Sequence, residues 1–361
     1  MSKAAELAAL IGSQTALSNK NLIINGAMQV AQRGTSETSV TTSGYRNACD
    51  RFRCNGNNGT WTISQDTNAP DGFSNSFKML LTATESIGGT SYWAVEQRIE
   101  GQNLQSLAYG TSSAKTVTLS FYVKSNITGT YTVNLYQDDG GKNFPKTYTI
   151  DSADTWERKT ISFAGDTSTP LDNDNASSLR PIFLVVAGSS YNSGTPGSRG
   201  TYTDATFAAG HTAQIDAVND YFQITGVQLE VGEQATPFEH RSIGDELARC
   251  KRYFQRHDND NSAYRWFGSG YTTSTTAASI GVALNPPMRA IPSFSLNVGA
   301  SNFIFDQSGG AKACSAITSS FSSNTMARLF LTIGTTTAST PGWLASDGTS
   351  SLRALDFDAE L

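Results

Sequence analysis

Residues 117–124 have the sequence VTLSFYVK, in which apolar and more polar side chains alternate. A period of two puts the apolar residues on one face, as in a β-strand with one buried face. The same alternation recurs at Tyr131, Val133 and Leu135, after a turn at Asn126–Gly129. We therefore predict that these two segments pair as a hairpin.

Similar short segments continue along the first two thirds of the chain, between stretches rich in Gly, Asn and Ser. Many short strands with such turns predict an all-β fold class, with a jelly-roll β-sandwich as its main domain. Two polar stretches, Asp166–Ser178 and Ser189–His211, are expected to form surface loops. The other strands predicted in this part of the chain are Trp61–Ser64, Phe77–Leu81, Tyr92–Ile99, Thr147–Ile150, Lys159–Phe163 and Ile182–Val186.

The segment 222–231 changes phase at Gly226. Before the glycine, Phe222 and Ile224 lie on one face, whereas the apolar residues of Val227–Val231 continue in the opposite phase. A one-residue slip at a glycine indicates a β-bulge, which returns both halves of the strand to the same core.

Changes of pattern divide the chain into four segments. Residues 1–19 contain a short helix, marginal alone in water, that we expect to attach to a partner. Residues 20–241 form the jelly roll, and 242–257 form a linker and oligomerisation helix. Residues 258–361 return to strand-like alternation and form a smaller β-rich tip domain.

The predicted linker helix has acidic residues in its first turn and basic residues later, which favours a helix through its dipole. Its apolar residues follow the spacing by which a helix meets copies of itself, and this predicts a parallel homotrimer. The alternative is that the helix packs on its own domain. The four residues of this predicted seam are Ile243, Leu247, Cys250 and Phe254.

Composition excludes several classes of partner. Only 16% of the residues are charged, the net charge is -5, and no run of Lys or Arg could neutralise nucleic-acid phosphates. The longest apolar segments are too short to cross a bilayer, and residues 1–12 lack the apolar core of a signal peptide. We therefore expect synthesis in a cytoplasm, without membrane insertion. Reduced, buried thiols are expected, with a Cys49–Cys54 disulfide as the alternative, for the four cysteines Cys49, Cys54, Cys250 and Cys314.

Neither catalysis nor a metal or other cofactor is expected. Polysaccharide cleavage needs two carboxylates about 5–10 Å apart. Asp138-Asp139 and Asp172 with Asp174 lie in turn-forming sequence, and Glu96 with Glu100 can be solvated on a strand face. The stretch 172–175 could also supply oxygens to calcium, although a solvated turn is the simpler interpretation.

Three separated segments carry a resemblance to a known family: Asn21–Gly34 (NLIINGAMQVAQRG) with Tyr45 and Asp50–Phe52, Ile224–Gly232 with Ala235–Glu239, and Asp245–Phe254. They resemble tail-fibre proteins of tailed bacteriophages. The second of them also resembles the closing strand of carbohydrate-binding, galactose-binding-like jelly rolls. The resemblance spans roughly residues 20–257 and implies a jelly roll on a virion appendage, usually trimeric, with its N-terminal side toward the particle.

Sugar binding uses exposed aromatic faces with polar neighbours. Trp61, Trp93 and Trp156 lie in strand-like segments and are expected to be packing residues. The candidates for contact with host-surface glycans lie among Gly, Ser and Pro, and a subunit interface is the alternative role for them. These four candidates are Tyr264, Trp266, Tyr271 and Trp343.

Together these observations predict a non-enzymatic virion protein, a homotrimeric tail fibre made in the host cytoplasm. It would join other tail proteins through its N-terminus and bind host-surface polysaccharide. The alternatives are a head-decoration or adaptor protein with a purely structural role, or a polysaccharide depolymerase.

Overall fold

The computed structural model describes residues 20–83, 86–260, 264–320, 322–348 and 351–361. These residues form mainly β-strands, which confirms the all-β class. The chain divides into two compact units, Met1–Glu246 and Leu247–Leu361. The predicted attachment helix in residues 1–19 lies outside the described residues. Within the described ranges, no helix has the length and apolar character needed to cross a membrane.

The first unit contains strands β1 to β15 and short helices. The strands are β1 Ser36–Val40, β2 Gly44–Tyr45, β3 Arg53–Gly56, β4 Thr60–Asp66, β5 Ser76–Ala83, β6 Tyr92–Glu96, β7 Ile99–Glu100, β8 Val117–Ser125, β9 Gly129–Gln137, β10 Lys142–Asn143, β11 Pro145–Ile150, β12 Glu157–Phe163, β13 Ser177–Ala187, β14 Gly200–Thr201 and β15 Tyr221–Val231. The helices are α1 Ser189–Asn192 and α2 Asp204–Phe207, with 3-10 turns at Gly101–Asn103 and Gln105–Leu107.

These strands form two antiparallel sheets. Among the described residues, one sheet has the order β1-β4-β5-β15-β8-β12 and the other β14-β10-β9-β13-β6-β3-β2, with β11 beside β9 and β7 beside β13. The inward residues of both sheets share one hydrophobic core, in which Trp61, Trp93, Phe121 and Phe183 are fully buried. The first unit is therefore a β-sandwich, because one core fills the space between two sheets.

The predicted hairpin of 117–124 with 131–135 is wrong. Strand β8 pairs with β12 and β15 in one sheet, whereas β9 pairs with β11 and β13 in the other. The side chain of Asn126, just after β8, bonds Asp220 and the backbone N–H of Tyr221 at 3.0 and 2.9 Å, and so holds the end of β8 against the start of β15. Alternation reports which face of a strand is buried, but not which strand lies beside it.

The predicted β-bulge at Gly226 is confirmed. The register of β15 against β8 shifts between Thr225 and Gln228, and Gly226 has a φ of 61°. On either side of the bulge, Ile224 and Val227 are both fully buried in the same core. The burial of alternate apolar residues along this strand ends at Val231, which is 42% exposed.

The three segments of the phage resemblance contact each other in the first unit. The side-chain amide of Asn21 donates to the backbone oxygen of Val227 at 3.1 Å, and the Asn21 N–H donates to Glu239 at 2.8 Å. The N–H of Asn25 donates to Glu246 at 2.6 Å. Residues far apart in sequence therefore form one hydrogen-bonded group at the closing strand.

The polar stretch 189–211 is more than a surface loop, which corrects the prediction. It contains α1 and α2, and its Phe207 packs on Ile182 and Leu184, on the outer side of β13. Its last residue, His211, is buried and accepts a hydrogen bond from the N–H of Thr132 at 3.3 Å. Apolar residues spaced within a polar sequence thus cover part of the second sheet.

Helix α3 covers Ile243–Lys251, so the helix predicted for 242–257 is shorter than expected. Ser242 accepts the N–H of Asp245 at 3.1 Å, as a capping residue does. Phe254 begins a strand rather than a last helical turn, and Cys250 and Phe254 are buried. The four residues are therefore not continuous on one helix, because Phe254 lies in the strand that follows it.

The second unit contains strands β16 to β24. They are β16 Phe254–Asp258, β17 Trp266–Thr272, β18 Ala277–Ala283, β19 Ser293–Leu296, β20 Phe303–Gln307, β21 Lys312–Ser319, β22 Met326–Ile333, β23 Pro341–Ser346 and β24 Ala354–Asp358, with a 3-10 turn at Ala300–Asn302. In the described chain, six of these strands close a barrel in the order β17-β18-β22-β21-β20-β23, and β16-β24-β19 form a small sheet. Ile280, Leu329 and Leu344 point into the barrel and are buried in its core.

Candidate functional site

The outer surface of the barrel carries the aromatic residues selected from the sequence. Because Ile280, Leu329 and Leu344 face inward, their neighbours along β18, β22 and β23 face outward. One outward row crosses four strands as Trp343, Ser269, Gly281 and Arg328. The next row is Pro341, Tyr271, Ser279 and Phe330.

Trp266 and Trp343 stack on this surface. Their ring centroids are 5.2 Å apart and their planes differ by 15°. Trp266 lies opposite Ala345 on β23, next to the outward row that contains Trp343. The two rings remain 58% and 40% exposed. A pair of parallel indoles in contact with solvent offers a flat apolar platform to a ligand.

A shallow depression of about 350 Å³ lies beside the platform, across β17, β18 and β22. Gly281 keeps it open, because it leaves its outward row without a side chain, and the backbone of Gly270 also lines the depression. Tyr271, 51% exposed, borders the depression, and Met326, 54% exposed, lies at the end of β22. The surface thus has aromatic and apolar edges around a backbone floor.

The polar groups of the depression are held in place. The Nε of Arg328 donates to the Ser279 hydroxyl at 2.9 Å, and the guanidinium lies 4.7 Å from the centroid of Phe330. Ser269 is exposed between Trp343 and Gly281. The hydrogen bond and the ring contact together fix the direction of the guanidinium group.

Of the four predicted contact residues, three belong to this surface. Tyr264 makes a separate contact, since its ring packs over Gly348, where a Cβ would lie 2.4 Å from the ring. The sequence indicated Ser269 only as a polar neighbour of the aromatic residues, and it did not point to Gly281 or Arg328. Alternation in β18 and β22 predicts that Gly281 and Arg328 lie on the outward face of their strands. Only the strand order of the barrel shows that they lie beside Tyr271.

The other residues selected from the sequence lie away from this surface. Trp61 and Trp93 are core residues, with rings 5.6 Å apart, as predicted. Trp156 is half-buried, and its indole N–H donates to Asn68 at 3.0 Å. Ile243 is 58% exposed on α3, where Leu247 is partly buried.

The acidic residues considered as catalytic pairs form ion pairs and hydrogen bonds within the chain. Glu96 and Glu100 are buried, which corrects the interpretation that they are solvated on a strand face. Glu96 contacts Arg53, Arg98 and Arg180 at 3.0 to 3.4 Å. Asp139 accepts the N–H of Asp172 at 2.9 Å, and Asp174 that of Ala176 at 2.9 Å, so these carboxylates stabilise turns. Across the described ranges, no group of three His, Cys, Asp or Glu side chains could hold a metal ion.

No family model and no curated protein matches the sequence. Solved structures with partial similarity include the enzymatically active domain of bacteriophage CBA120 tailspike protein 4, at 12% identity and a TM-score of 0.33 over 59% of this chain and 21% of that one. A family 11 carbohydrate-binding module of a Clostridium thermocellum cellulase is similar at 12% identity and a TM-score of 0.28, over 56% of this chain and 98% of that one. A xylan-binding domain from Paenibacillus barcinonensis is similar at 10% identity and a TM-score of 0.25, over 56% of this chain and 99% of that one. TM-scores this far below 0.5 establish no function for this chain.

Proposed function

We propose that this chain is a non-enzymatic receptor-binding protein that attaches to host-surface glycans through the outer surface of its C-terminal barrel. The observation that carries the proposal is the exposed Trp266–Trp343 stack beside a depression floored by glycine backbone. Pyranose rings present C–H faces that pack on indole rings, and their hydroxyls bond to serine and arginine side chains. This barrel surface offers both kinds of contact within one outward patch.

The place of the protein on a phage tail fibre is part of the same proposal. It is supported by the resemblance of three segments to tail-fibre proteins and by the hydrogen bonds that join those segments at the closing strand. In this proposal the first unit is a jelly roll that carries the barrel. Residues 1–19 join it to other tail proteins, α3 links the two units, and the mature protein resides on the virion.

The proposal that the chain is not an enzyme rests on its carboxylates. Glu96 is held by three arginines, and Asp138 is 2.7 Å from Arg180. A catalytic pair needs one carboxyl poised to give up a proton and a second poised to attack or to activate water. We therefore expect no release of reducing ends from host polysaccharide incubated with the protein.

The decisive experiment is host-cell adsorption by the full chain carrying Trp266→Ala and Trp343→Ala. Removal of the indole platform should weaken binding by at least about tenfold, since aromatic anchors dominate such contacts. Trp156→Ala is the matched control. It deletes a tryptophan side chain of the first unit, and the variant should adsorb normally. Unchanged adsorption by the double variant, with unfolding temperature preserved, would contradict the proposal.

We also propose a homotrimer, in which weak sugar contacts gain avidity from three linked sites. The exposed Ile243 and the partly buried Leu247 remain the residues of α3 that can meet a second copy. Leu247→Asp should then dissociate the trimer, because an unpaired charge buried in each copy costs several kcal/mol. Light scattering that shows a wild-type monomer, or a trimer unaffected by the substitution, would refute this assembly.

Attachment through residues 1–19 has its own test. A chain that lacks these residues should fold, because the two described sheets and their core are formed by residues from Ile23 onward, and should fail to enter particles. Normal incorporation of the truncated chain, measured by quantitative blotting of purified virions, would remove the attachment role.

A further inference from the structure

A separate cavity of about 200 Å³ lies on the outer face of the second sheet of the sandwich. Its floor comes from neighbouring strands: Asn55 of β3, Tyr92 of β6, Arg180 of β13 and Tyr136 of β9. Its wall comes from the segment that covers part of this sheet, through Tyr191, Tyr202 and Phe207. The cavity belongs entirely to the first unit.

The rings of the cavity hold one another in position. Tyr92 meets Tyr191 and Phe207 edge to face, at centroid distances of 5.2 and 5.6 Å. Tyr136 meets Tyr202 in the same way at 5.8 Å. Such contacts fix ring orientation, so the cavity is formed before any ligand arrives.

The charge of the cavity is compensated. The Arg180 guanidinium lies 4.4 Å from the centroid of the Tyr136 ring. It is paired with Asp138 at 2.7 Å and with the buried Glu96 at 3.4 Å. An anionic ligand would have to compete with these two carboxylates, so the electrostatics favour a neutral ligand.

Several polar groups of the cavity have hydrogen-bonding capacity left. The Tyr92 hydroxyl donates to Oδ1 of Asn55 at 3.1 Å, which leaves the Nδ2 donor of Asn55 without a partner among the described residues. Within the same set of residues, no hydrogen bond engages the hydroxyls of Tyr136 and Tyr191. Groups of this kind in a recess are ordinarily satisfied by water or by a ligand.

We infer that this cavity binds one neutral sugar ring, as a second glycan contact separate from the barrel surface. Its volume lies below the roughly 300 Å³ at which sites for drug-sized ligands begin, which suits a single ring. Tyrosine walls pack against the ring, and the free hydroxyl and amide groups bond to sugar hydroxyls without any net charge on the ligand. All residues of this cavity belong to the first unit, so sugar binding there does not require the barrel to bind glycans.

The test is saturation-transfer NMR on the full chain with free glucose, galactose, mannose and N-acetylglucosamine. The background carries Trp266→Ala and Trp343→Ala, so that the barrel platform contributes no signal. At least one sugar should show transfer, and Tyr136→Phe with Tyr191→Phe should weaken its binding about tenfold. That change removes two hydrogen bonds to the sugar while the rings are kept.

Tyr148→Phe, which removes a hydroxyl from the sandwich core, is the matched control and should leave binding unchanged. If the double tyrosine variant fails to fold, Asn55→Asp serves instead, because it keeps the acceptor for Tyr92 and replaces the Nδ2 donor. Absence of transfer from all four sugars, or binding that is unaffected by both sets of cavity substitutions, would overturn the inference. Neither outcome bears on adsorption through the barrel, which the tryptophan variants test separately.

Discussion

Phe121 and Phe183 meet edge to face in the sandwich core, with ring centroids 4.9 Å apart and planes at 79°. Phe121 belongs to β8 and Phe183 to β13, and these strands lie in different sheets. Both side chains are fully buried. The contact therefore joins the two layers through the interior of the unit that supports the sheet-face cavity.

Phe183→Ala should destabilise the sandwich by about 3–5 kcal/mol, because it removes a large buried ring and leaves a cavity between the sheets. The free energy of unfolding from urea titration measures this loss. Ile291→Ala, at a side chain that is 66% exposed, is the control and should change it by less than about 0.5 kcal/mol. A similar small effect at Phe183 would mean that the sheets do not meet through this contact.

Gly226→Ala should destabilise the chain by about 1–2 kcal/mol or more. The residue has a φ of 61°, and a Cβ there would lie 2.7 Å from the ring of Phe73. Left-handed backbone and a ring contact both oppose a side chain at this position. Gly334→Ala, where a Cβ meets open space, provides the comparison in the same unfolding assay. Equal stability of the two variants would show that the bulge does not need its glycine.

Stability should fall as the pH drops from about 6.5 towards 4, in part because of His211. Burial lowers the pKa of His211 to about 4, against about 6.5 in an unfolded chain. In this window the unfolded state binds a proton that the folded state does not, so acid favours unfolding by up to about 3 kcal/mol. Above pH 6.5 the contribution of His211 is fully present.

Urea unfolding at pH 7 and 4.5, for the wild type and His211→Gln, isolates this contribution from that of the carboxylates. The variant should lose less stability between the two pH values than the wild type. An equal loss of stability in both chains would contradict a lowered pKa of His211 in the folded protein. An NMR titration of His211 with a midpoint near pH 6.5 would contradict it too.

The cysteines should not react with a thiol reagent in the native protein at pH 8. Burial raises the pKa of Cys54 and Cys314 to about 12 and raises that of Cys49 well above its usual value, and Cys250 is also buried. The reactive species is the thiolate, which is scarce at such pKa values and shielded from the reagent. Four thiols should react after unfolding without reductant. A count of two would instead support the Cys49–Cys54 disulfide.

Much of the fold could be predicted from local pattern. The alternation in 117–124 identified β8, and the phase change at Gly226 identified the bulge that keeps Ile224 and Val227 in one core. Aromatic residues among Gly and Ser identified Trp266, Tyr271 and Trp343 as a surface group. Each of these signals depends on consecutive residues, whose side chains take positions set by the backbone period alone.

The tertiary structure decided which strands pair and which side chains are in contact. It placed β8 and β9 in different sheets, stacked Trp266 on Trp343, and lined up Gly281 and Arg328 next to Tyr271. It also made Phe254 a strand residue rather than part of a helical seam, and assembled the tyrosine cavity from strands and two short helices. By itself the sequence determined which faces of its strands are apolar. The neighbours of those faces follow from the free energy of filling the whole core and pairing every strand edge, which no short stretch of residues contains.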